Sequence, residues 1–190
     1  MRILPILAVI FCLANASAAE RIEVVICNSA KLPEYFVRDA ETEAGLVFRP
    51  ADIVVEWSDC ETAVTRAPGT PRFVIRLRSD LVPRFGGELS LHAMGRAFVS
   101  DGEGYIADVY YPAIQSLSET SQAGVGSLIG YTIAHEIGHL LLGPGHRPRG
   151  IMRARWGQDE LRALAQRSLG FDKADRARLR ERLRQNLSRP

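Results

Sequence analysis

Three of the chain's four histidines fall in HEIGHLLLGPGH, residues 135–146. On a helix of 3.6 residues per turn, His135 and His139 stand roughly 40° apart, so both imidazoles can reach one ion. Glu136 follows the first histidine and lies close to that metal face. A carboxylate there can take the proton of a zinc-bound water without itself binding the metal. Zinc lowers the pKa of such a water toward about 7 and polarises a scissile carbonyl. The plainer alternative is a core helix whose histidines and glutamate only make hydrogen bonds. The apolar helix around the motif and the turn after it favour the metal.

A third ligand must come from beyond the helix. Were the helix to continue, His146 would return to nearly the azimuth of His139 but about 10 Å further along the axis, too far to share an ion. Gly143-Pro144-Gly145 supplies a break. Glycine can leave a helix with positive φ, proline cannot continue the hydrogen-bond ladder, and a second glycine permits a tight return of His146 toward the metal. Glu160, twenty-one residues after His139, competes for the third position. Its simpler reading is a charge at the start of the next helix. His92 falls between two strand candidates without a paired ligand and is left out of the site.

HEIGHLLLGPGH followed by GIM resembles the metzincin zinc endopeptidases, whose pattern is HExxHxxGxxH with a later methionine turn beneath the metal. It is similar also to small secreted bacterial zincins with HE-x-GH-LLLG, then GIM and a tryptophan, here Trp156. The resemblance implies His135, His139 and His146 as zinc ligands, Glu136 as general base and Met152 as the methionine of the turn. The glutamate-ligand variant of the wider clan, the gluzincin type, corresponds to Glu160. The chain departs from the pattern in four ways. Leu142 stands where the glycine is usual, Gly143 and His146 are each displaced by one, five residues separate His146 from Met152, and no tyrosine follows Met152.

The elements that must carry these residues are legible from periodicity. Arg21–Cys27, rich in β-branched residues, reads as a strand ended by Asn28 and Ser29. From Glu34 to about Phe48 the apolar residues keep helical spacing, and Pro50 leads into a second strand, DIVVEW. This βαβ unit makes the two strands parallel by right-handed crossover. A third strand, RFVIRL, alternates charge with apolar residues and predicts one exposed face. MGRAFV and GYIADVYY read as strands closely joined across SDGEG. Ser121–Leu142 reads as one long helix with Ser121 as a cap, though three glycines lower its propensity. Helices are expected at about Gln158–Ser168 and Asp172–Asn186. A strand, a helix, further strands and then the active-site helix resembles the metzincin order. The resemblance thus implies an α+β zincin-like fold, with a twisted, mostly parallel sheet, an antiparallel edge strand, the active-site helix and C-terminal helices.

At 190 residues, 46% hydrophobic and 24% charged, the chain can bury a core but is short for two domains, so residues 20–190 are expected to form one. Residues 1–19 place Arg2 before an apolar run from Ile3 to Leu13 and end in small residues, as a cleavable signal peptide does. The run is too short to span a bilayer, which takes roughly 20 apolar residues, so no stable membrane insertion is expected after cleavage. Hardly a residue then precedes the first strand, so no inhibitory prodomain is expected. Cleavage leaves Cys27 and Cys60, each just past the end of a parallel strand. In a secreted or periplasmic protein such a pair suggests a disulfide, with two buried free thiols as the alternative.

Charge divides unevenly, from −7 over residues 20–146 to +8 over 147–190. A basic tail suits anionic surfaces or nucleic acid. Leu179, Leu183 and Leu187, however, recur every fourth residue and make the tail one side of a packed helix, so no nucleic-acid partner is expected. The expected activity is that of a secreted zinc endopeptidase acting on a peptide or protein aligned along an edge strand, Gly95–Val99. The competing class is a non-catalytic binding module with a structural metal. An intact Glu136 argues against that class, because a structural site has no use for a base.

Overall fold

The computed structural model describes residues 19–62, 69–80, 82–83, 89–90, 93–100 and 103–187. Most of the expected signal peptide, residues 1–18, and His92 lie outside the described residues. The architecture is α+β. Among the described residues, seven strands and five α-helices follow in the order β1 (Glu20–Cys27), α1 (Glu34–Phe48), β2 (Ile53–Asp59), β3 (Arg72–Arg78), β4 (Val82–Pro83), β5 (Leu89–Ser90), β6 (Gly95–Ser100), β7 (Glu103–Tyr110), α2 (Tyr111–Ser121), α3 (Val125–Leu142), α4 (Gln158–Ala165) and α5 (Lys173–Leu187). Five strands form one sheet in the order β2-β1-β3-β7-β6, and β4 and β5 pair as a separate short hairpin. Neighbours in the large sheet are parallel except β6, which runs antiparallel to β7 at the edge.

The period-2 pattern of β3 shows how the sheet acquires two unlike faces. Phe73, Ile75 and Leu77 are buried, while Arg72, Arg76 and Arg78 alternate with them. The alternate face carries cross-strand ion pairs, Arg72 to Glu23 at 2.8 Å and Arg76 to Asp108 at 2.6 Å, with Arg21 bonded to Glu56 on the neighbouring strands. On the other face, Ile22, Val24 and Ile26 of β1 join Ile75 and Ala107 in a core shared with α1 and α3. Full burial of a large aliphatic or aromatic side chain contributes about 1.5–3 kcal/mol, so this layer dominates the fold's stability.

Helix α3 is apolar nearly all round, as a helix enclosed by sheet, α1, α2 and α5 must be. Its glycines have a packing reason. A Cβ on Gly130 would lie 2.6 Å from the Ala40 carbonyl oxygen and 2.9 Å from Glu43 Cβ, so glycine lets α1 and α3 cross closely. Cys27 and Cys60 close a disulfide at the C-terminal ends of β1 and β2, with Cα atoms 5.0 Å apart.

One expectation is corrected. The run from Ser121 is not a single helix: Tyr111–Ser121 forms α2, Gln122 ends it in the left-handed region (φ 61°), and α3 begins at Val125. Pro112 in the first turn of α2 and the spacing of Ala113, Ile114 and Leu117 were the available signal, hidden behind the β-rich GYIADVYY. The basic tail forms α5, with Leu179 and Leu183 fully buried. Among the described residues, no helix is long and apolar enough to cross a membrane.

Candidate metal centre

The centre is built where α3 ends. His135 and His139 are one turn apart on the helix, largely buried, with their Nε2 atoms 3.1 Å from each other. Gly143 then adopts φ 85° and ψ −178°, a conformation essentially restricted to glycine, while its N–H still closes the last helical turn on the His139 carbonyl at 2.9 Å. Gly145 follows with φ 118°, and the chain reverses so that His146 Nε2 lies 3.3 Å from His139 Nε2. One nitrogen from each of the three histidines falls within 4.8 Å of the others.

Hydrogen bonds on the far side of two rings define what those nitrogens offer. His135 Nδ1 is 2.6 Å from the Ile151 carbonyl oxygen and His139 Nδ1 is 3.3 Å from that of Gly143. A carbonyl accepts only, so each Nδ1 carries the proton and each Nε2 turns a lone pair inward. Burial pushes the His135 pKa down to about 4 and also lowers that of His139, against the raising effect of the carbonyls. Neutral imidazoles with converging lone pairs repel one another unless a cation lies between them. The donor set therefore fits a divalent ion of the kind imidazole prefers.

The segment after His146 supports the histidines from below. The Arg147 N–H donates to the Met152 carbonyl at 2.8 Å, closing a turn over residues 147–152. The Ile151 carbonyl that holds His135 also accepts from the Trp156 indole at 3.1 Å. Met152 is buried, and a Cβ at Gly138 would stand 2.6 Å from its sulfur and 2.9 Å from the Phe171 ring. Gly138 is thus the position, between the two helical histidines, at which Met152 and Phe171 pack against the backbone of α3.

Glu136 points toward the edge strand. It is 4% exposed, and burial pushes its carboxyl up to about 8, opposed by a hydrogen bond from the Ala97 amide of β6. Gly95, also on β6, faces it so closely that a Cβ there would lie 2.7 Å from Glu136 Cδ. The carboxylate and the histidines share a cleft of about 730 Å³, walled by β6 on one side, by Ala113 and Leu117 of α2, and by Arg153–Trp156. Sequence reasoning placed the edge strand correctly but missed that Gly95 makes room for the carboxylate, and it missed the α2 wall altogether.

Glu160 stands apart from the three-histidine group. Its Oε2 accepts the Gly157 N–H at 3.0 Å and Arg153 Nη1 at 2.6 Å, half a capping box at the start of α4. Burial raises its pKa, but these donors outweigh burial and leave the carboxyl below its ordinary value.

No family model and no curated protein sequence matches the chain. Its fold is similar to the crystal structure of metalloproteinase-II from Bacteroides fragilis, with a TM-score of 0.51 and 14% identity over 89% of this chain and 55% of that one. The chain thus spans about half the length of that protein. At this identity the likeness is one of fold.

Proposed function

We propose that the protein is a secreted, zinc-dependent endopeptidase of metzincin-like type that hydrolyses peptide bonds in a cleft between β6 and α3. The observation that carries this reading is the juxtaposition of three converging imidazoles with a buried glutamate that binds none of them, all opening on one cleft. His135, His139 and His146 would hold the ion. When bound, zinc supplies Lewis-acid polarisation and lowers the pKa of a water toward about 7. The remaining steps belong to the chain itself. Strand β6, last in the sheet order among the described residues, would take an extended peptide along its outer side, and main-chain hydrogen bonds would align the scissile bond. Glu136 would take the proton of the attacking water and pass it to the leaving amine. The Ala97 amide and the space left by Gly95 keep that carboxylate at the strand where the substrate lies.

The fold shared with a metalloproteinase supports this chemistry, and the disulfide supports a secreted or periplasmic location. A non-catalytic module would be expected to close the metal's fourth position with another ligand rather than keep a buried carboxylate facing an open cleft. Incubating the purified mature protein with a mixed peptide library, with and without a zinc chelator, tests the proposal. Cleavage that the chelator stops and added zinc restores is expected. A zinc-loaded protein that leaves every peptide intact would contradict it.

A further inference from the structure

The third histidine is carried by an exposed turn with two glycines at positive φ, yet its flanks are not free. Before the turn, the Leu142 carbonyl accepts a hydrogen bond from Arg178 Nη2 at 3.3 Å. After it, the Arg147 guanidinium forks onto the Asp175 carboxylate, with Nη2 to Oδ1 at 2.8 Å and Nε to Oδ2 at 3.2 Å. Both anchors come from the first turns of α5 and meet each other, with Arg178 Nη1 3.6 Å from Asp175 Oδ1.

Asp175 is 2% exposed and shares one face of α5 with Leu179 and Leu183, both fully buried. It occupies the place in that stripe where an apolar residue would ordinarily pack. Burying a carboxylate costs several kcal/mol unless it is paired, and an apolar residue there would stabilise the helix at least as well. The pairing is therefore better explained by what it holds than by the stability it contributes. It holds the residue next to His146.

We infer that Asp175, with Arg147 and Arg178, forms a clamp that fixes the Gly143–Gly145 turn and so positions His146 for the metal. The inference rests on His146 being a ligand, as proposed above. Two glycines give the turn many conformations, and only a few bring the imidazole to within 3.3 Å of His139 Nε2. Gripping the chain on both sides of the turn removes most of the others before the ion arrives, which raises affinity by lowering the ordering cost. The clamp also accounts for part of the basic tail: Arg178 serves the turn, Arg180 lies 3.6 Å from Asp52, and Arg184 is bonded to Glu20 at 3.0 Å.

The test is the affinity of the full mature chain for Zn²⁺ alone, measured by competition with a chromophoric chelator. R147Q and D175N alter groups that support the turn and bond no imidazole, so each should weaken binding by about 10-fold, the lower end of what loss of a group hydrogen-bonded to a metal ligand costs. R147K should recover much of the loss. In an H146A background neither substitution should weaken zinc further, because both act through that histidine. Affinity within twofold of wild type for R147Q and D175N, or equal losses with and without His146, would overturn the clamp. If D175N fails to fold, R147Q and R178Q, which alter half-exposed side chains, decide the matter in the same two backgrounds. If H146A itself binds zinc like wild type, the ligand assignment fails and the clamp with it. That result is distinct from one in which H146A loses zinc and the clamp variants do not.

Discussion

The two halves of the candidate centre are held by different physics. His135, Glu136 and His139 stand on a buried helix whose own hydrogen bonds and apolar neighbours set their directions, so spacing alone brings them together. His146 stands on an exposed Gly-Pro-Gly turn, where spacing says only that a return is possible. The next residue, Arg147, is held by its N–H on the nearby Met152 carbonyl and by its guanidinium on Asp175, 28 residues further along the chain. A site can therefore be half written in local sequence and half in tertiary contacts.

Breaking the chemistry without touching either ligand set should give the largest effect. Glu136→Ala removes the proposed base and none of the three histidines, so peptide hydrolysis should fall by about 10² to 10⁴ in rate while zinc content stays at one equivalent. Turnover measured alongside metal analysis checks both halves of that statement.

Reduction of the disulfide separates global stability from the site. It closes a loop of 33 residues at the ends of β1 and β2, and its loss should cost about 3–4 kcal/mol in the chain-entropy model. Denaturant titration with and without reductant reads this. Zinc affinity of the reduced protein, while folded, should be unchanged, since neither the helix nor the turn is tied to the bridge.

The helical half is sharpened by Gly138→Ala. A methyl there meets the Met152 sulfur and the Phe171 ring at distances that force one to move, so about 1–3 kcal/mol of stability should be lost. Gly143→Ala probes the other half. Its Cβ meets nothing within 4 Å, so its cost, about 1–3 kcal/mol, comes from backbone conformation alone. The two variants should differ in kind. The first should lower thermal stability with or without metal, and the second should mainly weaken zinc, by loosening the turn that bears His146.

The smallest effect is expected at Glu160. Its loss as a helix cap should cost about 0.5–2 kcal/mol, measured at neutral pH as Glu160→Gln against wild type. Its folded pKa is depressed below 4.5, so the carboxylate's contribution is present above that value and fades as pH falls through the folded pKa. The difference between the two proteins should shrink accordingly in acid.

What could be read from the sequence follows the same division. The βαβ unit, β3 and the antiparallel β6–β7 pair were legible because each alternates or repeats with its own period. So was the placement of His135, Glu136 and His139 on one helix. The start of α3 was not, because Tyr110 and Tyr111 extend a β-rich run into what is the first turn of α2. Gly138 and Gly95 were visible as residues but not as contacts, since what they leave room for, Met152 and Glu136, is set by packing between elements. Asp175 left one local trace, a carboxylate in step with two buried leucines. Its partner, 28 residues earlier, has no periodic relation to it.

The central claim is a metal centre completed by the displaced histidine, and it is tested most directly by zinc affinity in His146→Ala and Glu160→Ala measured side by side. The histidine variant should bind zinc far more weakly than wild type and lose the stabilisation that follows from metal binding to the folded state. The glutamate variant should keep both. Zinc lost from the glutamate variant and retained by the histidine variant would contradict the account and move the third ligand to α4.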